Sequence, residues 1–117
     1  AMKILMLLTS ILLLGACATT PTMKSVAGTY ESVGHPHLYK LVFLENGAME
    51  NYVSGNKTDE NKWEVVNGEI HVTYNKEGVI IAHRINKDIS ITWIARIWDG
   101  KRKDLPKEEQ QTYKKIK

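Results

Sequence analysis

The residues able to do chemistry in this 117-residue chain are few: four histidines, one cysteine and thirteen acids. His35 and His37 flank Pro36. On a strand, residues two apart share a face, and two imidazoles placed so could hold a metal. The proline favours a loop, and no third ligand stands at a usable spacing, so no metal is assigned. Hydrolysis by paired carboxylates needs two acids held about 5–9 Å apart in a cleft. Glu108 and Glu109 are adjacent on an expected helix and diverge, while Glu45, Glu50, Asp59 and Glu60 fall in or near expected turns. Neither a Gly-x-Ser-x-Gly elbow nor a nucleotide-binding loop is present. The expectation is a protein that is not an enzyme and uses no cofactor.

Cys17 stands in a different setting. Lys3 precedes an apolar run, Ile4 to Leu14, which ends in Gly15-Ala16-Cys17. A cationic start, an apolar middle and small residues before a cut are the parts of a secretory signal peptide. Leu14-Gly15-Ala16-Cys17 resembles the lipobox of bacterial lipoproteins, which implies cleavage before Cys17 and a diacylglyceryl thioether upon it. The apolar stretch Ile4–Ala18 would be about 22 Å long as a helix, short of the roughly 30 Å hydrocarbon core. Acylation also accounts for a lone cysteine in a secreted chain and removes it as a nucleophile. The expected layout is a signal peptide at 1–16, acylated Cys17 and a flexible tether at 17–26, and one domain at 27–117. The location expected is the cell envelope, lipid-anchored to the membrane. Ala18 after the cysteine, in place of aspartate, resembles outer-membrane sorting, periplasmic face, in a Gram-negative envelope. Net charge is +3 and falls to +2 without Lys3, too mild to imply a nucleic-acid partner.

The remaining histidines depend on strands for their placement. Asn67-Gly68 between two alternating runs is the strongest short-range hairpin signal. It pairs Val66 with Glu69, Val65 with Ile70, Glu64 with His71 and Trp63 with Val72. Trp63, Val65, Ile70 and Val72 then share one face, and Glu64 meets His71 on the other, favouring the charged imidazole. The next strand, Val79 to Ile85, buries Val79, Ile81, His83 and Ile85 by parity. Parity therefore separates His83, inside, from His71, outside. A three-residue loop, Asn86-Lys87-Asp88, leads into Ile89–Trp98. That run places Ile89, Ile91 and Trp93 inward and Ser90 and Thr92 outward, pairing Ile85 with Ile89, His83 with Ile91 and Ile81 with Trp93.

Upstream, Gly28–Val33 reads as a first strand, and Leu38–Leu44 with Ala48–Val53 as a hairpin around Asn46-Gly47. Ser54–Asn61 reads as a polar loop. In the tail, Asp104–Gln111 reads as a short helix with Pro106 in its first turn. Thr112–Lys117 either continues that helix or forms an eighth strand; the strand is preferred because closure removes sheet edges. The fold class expected is all-β: an antiparallel up-and-down meander of about 7–8 strands forming a small barrel, with a short C-terminal helical turn.

Gly28-Thr29-Tyr30, the stretch Phe43 to Gly47, Trp63 before a turn, Asp99-Gly100-Lys101-Arg102 and Tyr113-Lys114-Lys115-Ile116 resemble small bacterial lipocalin-like lipoproteins over most of residues 26–117. The Gly-x-Trp signature of true lipocalins is replaced here by Gly28-Thr29-Tyr30. The resemblance implies an up-and-down barrel of about eight strands and carries hardly any function with it.

Two roles follow. In the first, the domain is a protein-interaction module that presents Arg96, Trp98, Lys101 and Arg102 to an envelope protein, Trp98 falling on the parity opposite Trp93. Lys103, Lys114, Lys115 and Lys117 extend this basic character. In the second, it carries or senses a small apolar ligand among Trp63, Val72, Ile81, His83 and Trp93. An eight-stranded barrel is wide enough for one small ligand or for side chains alone. The first role ranks ahead because about 90 residues leave little free volume once the aromatics are packed.

Overall fold

The computed structural model describes residues 20–74 and 76–117. The expected signal peptide and the lipidation position Cys17 lie outside the described residues.

Residues 22–26, expected within the tether, form a capped turn of helix, α1 (Met23–Val26). Thr22 and Ser25 satisfy each other's backbone N–H groups reciprocally, at 3.1 and 2.9 Å. The strands are β1 (Gly28–Ser32), β2 (Tyr39–Phe43), β3 (Ala48–Val53), β4 (Asn56–Val66), β5 (Glu69–Tyr74), β6 (Val79–Ile85), β7 (Ile91–Trp98), β8 (Lys101–Asp104) and β9 (Gln111–Lys115). All pairings are antiparallel. β1 to β7 follow one another in order, β9 lies between β7 and β1, and the ring is thereby closed. β8 stays outside the ring, paired with the upper half of β7 while β9 takes the lower half.

The expected all-β antiparallel barrel is therefore the observed architecture, and the tail supplies its closing strand. The expected tail helix is reduced to a 3-10 turn at Lys107–Glu109.

Tight turns set the registers. Asn67 and Gly68 both adopt left-handed backbone, φ 50° and 79°, as a type I′ turn requires. The pairing of Val66 with Glu69 through Trp63 with Val72 follows as expected. Ser54-Gly55 and Asp99-Gly100 have the same conformation. The first of these corrects the sequence reading, because Ser54–Asn61 is not a loop: β4 begins at Asn56 and runs for 11 residues. Its first half is polar because it projects past the packed part of the barrel and is wet on both faces. The second leads directly into the short strand β8, Lys101–Asp104.

The β6–β7 register differs from expectation at two points. The connecting loop spans Asn86 to Ser90, because Asn86 N–H donates to the Ser90 carbonyl at 2.8 Å and the Asp88 carboxylate caps Ser90 N–H at 3.1 Å. Ile89 consequently sits at the loop tip with φ 64° and 59% exposure, not in the core. Ile85 pairs with Ile91, and His83 with Trp93. Ser90 and Thr92 are buried rather than exposed, because the Asn86 amide bonds both hydroxyls, at 3.0 and 2.9 Å. The second point is a β-bulge: Ile94 has no partner between Trp93, opposite His83, and Ala95, opposite Ala82. One extra residue reverses the alternation beyond it. Arg96 then falls opposite Ile81 and Trp98 opposite Val79, so both share the parity of Trp93 rather than opposing it.

The core fills one half of the barrel. Tyr30, Phe43, Met49, Trp63, Ile70 and Val72 are buried there, with Phe43 edge-on to Tyr30 at 5.5 Å and to Trp63 at 5.1 Å. Val26 of α1 is buried against them and plugs that end. The Tyr30 hydroxyl donates to the Val26 carbonyl at 2.6 Å, and the Trp63 indole N–H donates to the Leu44 carbonyl at 2.8 Å. Gly28 closes the seam beside this plug: its φ is 149°, and a Cβ there would lie 2.3 Å from the Lys117 carbonyl oxygen.

Candidate functional site

Alternating strand directions gather the turns Ser54-Gly55, Glu77-Gly78 and Asp99-Gly100 at the end opposite α1. There the interior is not filled. A cavity of about 550 Å³ opens to solvent, with Leu41, Val79 and Ile81 as apolar wall. Tyr39, Tyr74, Tyr113 and Trp93 supply aromatic surface, and Asn51, Asp59 and Arg96 supply polar groups.

His83 lines this cavity from β6, 4% exposed, held inward by its pairing with Ile70 and Trp93. Its Nδ1 is buried and has no hydrogen-bond partner among the described residues, and the Tyr113 ring stands edge-on at 6.0 Å. Burial, with a smaller push from His71, lowers its pKa to about 3, so the ring is neutral at ordinary pH. Burial also raises the Tyr113 phenol to about 12 and keeps it a hydrogen-bond donor. The Tyr74 phenol is raised for the same reason.

The polar groups divide into two walls. On one, the Asn51 amide donates to Asp59 Oδ1 at 2.6 Å and approaches the Tyr74 hydroxyl at 3.4 Å, while the Asn61 amide donates to Asp59 Oδ2 at 3.3 Å. On the other, the Arg96 guanidinium carbon stands 5.4 Å from the centre of the Trp93 ring. The Trp93 indole N–H donates to the Ala95 carbonyl at 3.0 Å, bracing the bulge that turns Arg96 toward the cavity.

Of the residues expected around an apolar ligand, Ile81, His83 and Trp93 come together on this cavity. Trp63 and Val72 do not. They lie in the filled half, 3% and 0% exposed. The five residues expected around a ligand did not include Tyr39, Tyr74, Tyr113 or Asn51, which line the cavity. Tyr74 was accessible to sequence reading, since it shares the parity of Ile70 and Val72. Tyr113 was not, because its inward position follows from how the tail closes the ring.

Of the residues expected on an interaction face, Arg96, Trp98 and Lys101 surround a shallow hollow of about 280 Å³ together with Asp99 and Lys103. Trp98 is 64% exposed. Arg102 is not part of it. Its side chain points to the opposite face and forms a two-pronged ion pair with Glu69, at 2.8 and 2.9 Å, and a third contact with Asp104 at 3.0 Å. The register sets Ala82 and Ala95 between these partners on the same face, where small side chains leave the path clear. His71 joins this cluster, its Nε2 lying 3.0 Å from Glu69 Oε1, and so pairs with Glu69 rather than with Glu64 as expected. The hydrogen bonds from Arg102 hold the Glu69 carboxyl down at about 2.

His35 and His37 stand edge-on to Tyr39, at 4.7 and 6.4 Å. Among the described residues no group of three or more His, Cys, Asp or Glu is placed to hold a metal, and no helix is long and apolar enough to cross a membrane.

No protein-family model matches the chain, and neither curated proteins nor solved structures give a match.

Proposed function

We propose that this protein is a carrier or sensor that holds a small, mainly apolar molecule in the open half of its barrel. The observation carrying this reading is a cavity of about 550 Å³ walled by apolar and aromatic side chains around a buried imidazole, one nitrogen of which has no partner among the described residues. Small-molecule sites usually occupy about 300–1,000 Å³ and combine an apolar lining with a few polar points. The open volume supports placing this role ahead of the interaction module, which ranks first in the sequence only on the expectation of little free space. The reading involves no bond-making step. It includes the lipocalin-like resemblance, with which the closed antiparallel barrel is compatible, and the lipid anchor on Cys17 and an envelope location, which rest on the sequence of residues 3–17 alone.

Titration of the full chain with the neutral fluorescent probe N-phenyl-1-naphthylamine tests it. Saturable one-to-one binding is expected, with loss of binding in Val79→Trp, which fills the cavity mouth while circular dichroism retains its β signature. Absence of saturable binding to the unaltered protein would sink the proposal.

A second reading, a protein-interaction module, is favoured by one observation: Trp98 stands 64% exposed beside Arg96, Lys101 and Lys103. Tryptophan and arginine are enriched among residues that dominate binding energy. Pull-down from envelope extract with wild type and Trp98→Ala tests it, and equal recovery of every partner counts against that face.

A further inference from the structure

We infer that the occupant of the open half is a compact aromatic carboxylate, its ring among Tyr39, Tyr74, Tyr113 and Trp93 and its anion on Arg96. This rests on the cavity reading and narrows it to a ligand class.

The reason is which groups around the cavity are already engaged. The acceptors are largely taken: Asp59 receives the Asn51 and Asn61 amides at 2.6 and 3.3 Å and lies 3.4 Å from the Thr58 hydroxyl. The donors are open. Arg96 makes no ion pair among the described residues, whereas Arg102 on the same hairpin makes contacts with two carboxylates. Stacked over Trp93 at 5.4 Å, the Arg96 guanidinium keeps its N–H edge free for a two-pronged grip on a carboxylate. Tyr113 stays protonated and able to donate, and His83 is uncharged and brings no second cation to compete for the anion.

Two carboxylates share the lining, Asp59 and Glu77. Asp59 is spread over its hydrogen bonds, and Glu77 lies on an exposed turn; Arg96 is exposed as well, at the cavity mouth, so salt screens both charges and the pairing weakens as salt is raised. Space agrees with a ring system. A cavity of about 550 Å³ falls within the roughly 300–1,000 Å³ of ordinary small-molecule sites.

The test is calorimetric titration of the full chain with 2-naphthoate and with its neutral isostere 2-naphthamide, in wild type and in Arg96→Gln. In wild type the carboxylate is expected to bind about tenfold more tightly than the amide, a preference that weakens as salt is raised. In Arg96→Gln the ratio is expected to fall to about one. Equal affinities in wild type overturn the carboxylate assignment and leave the cavity reading standing. A preference that survives Arg96→Gln overturns the role given to Arg96. Binding of neither compound, together with no uptake of the neutral probe, overturns both.

Discussion

The two halves of this barrel are built from the same strands and differ in what those strands carry inward. Near α1, β1 to β5 contribute Tyr30, Phe43, Met49, Trp63, Ile70 and Val72, with Phe43 edge-on to Tyr30 and Trp63, and Val26 seals the end. At the other end β2, β3, β5 and β9 present Tyr39, Asn51, Tyr74 and Tyr113, and the space between them stays open. Every buried indole or phenol named in the closed half has a backbone carbonyl as partner, whereas one nitrogen of His83 at the boundary has no partner among the described residues. The lesson is that one end of this small domain is packed shut and the other holds open space, the space on which the proposed ligand role rests. A residue's type says less about its task than its height along the barrel does: Trp63 and Trp93 are both inward indoles, yet one is structural filler and the other a cavity wall.

That contrast is broken first, and hardest, at Phe43. Phe43→Ala opens a void in the closed half and is expected to lower unfolding free energy by about 3–5 kcal/mol in urea denaturation. Tyr113→Phe, which alters an aromatic of the open half without removing its ring, is expected to change it by less than about 0.5 kcal/mol. Equal effects would erase the division. Gly28→Ala probes the seam beside the plug; forcing a Cβ against Lys117 at left-handed φ is expected to destabilise by about 1–3 kcal/mol. Tyr30→Phe unties the plug by removing the donor to the Val26 carbonyl, at about 1–2 kcal/mol, read in the same denaturation series.

His83 sharpens the boundary through pH. Its folded pKa of about 3 lies below the ordinary value of 6.5, so the unfolded chain binds the extra proton first. Stability from keeping it neutral is complete above pH 6.5 and is lost as pH falls toward 3. Glu69, depressed from 4.5 to about 2, adds a further loss only below about pH 4.5. Between pH 6.5 and 4.5, His83→Leu is expected to show a flatter stability profile than wild type, measured by thermal melts across that window. An unchanged slope would mean that water reaches the ring.

A further small effect is expected on the outer wall. Arg102→Ala removes the two-pronged pair with Glu69, and because Arg102 is partly exposed the cost is about 0.5–1 kcal/mol, shrinking in high salt.

How much of this was legible beforehand depended on whether a local device announced itself. Asn67-Gly68 did: a two-residue turn with both residues left-handed leaves one register, and the pairing of Trp63 with Val72 followed from it. The closing strand was legible because a barrel has no use for a loose edge at Thr112–Lys117. The bulge at Ile94 left no mark, since Ile94, Ala95 and Ile97 are apolar on either parity, and the sequence pattern alone could not show that Arg96 turns inward. Ser54–Asn61 was misread because a strand wet on both faces has the composition of a loop. Asn86 and Asp88 were read as a turn, but their side chains reach on to Ser90 and Thr92 and lengthen the loop by two residues. For the cavity, alternation supplied Ile81, His83 and Trp93, and the way the chain closes on itself sets Tyr39 and Tyr113 beside them.

β8 leaves one loose end in an otherwise closed wall. It is the last strand in the sheet order, so its outer row of amides and carbonyls faces water. That fringe is only Lys101, Arg102, Lys103 and Asp104, every residue exposed. So short and so densely charged a rim is a poor template for a foreign strand. A crowded neighbourhood of identical chains thus finds nothing there on which to begin a fibril.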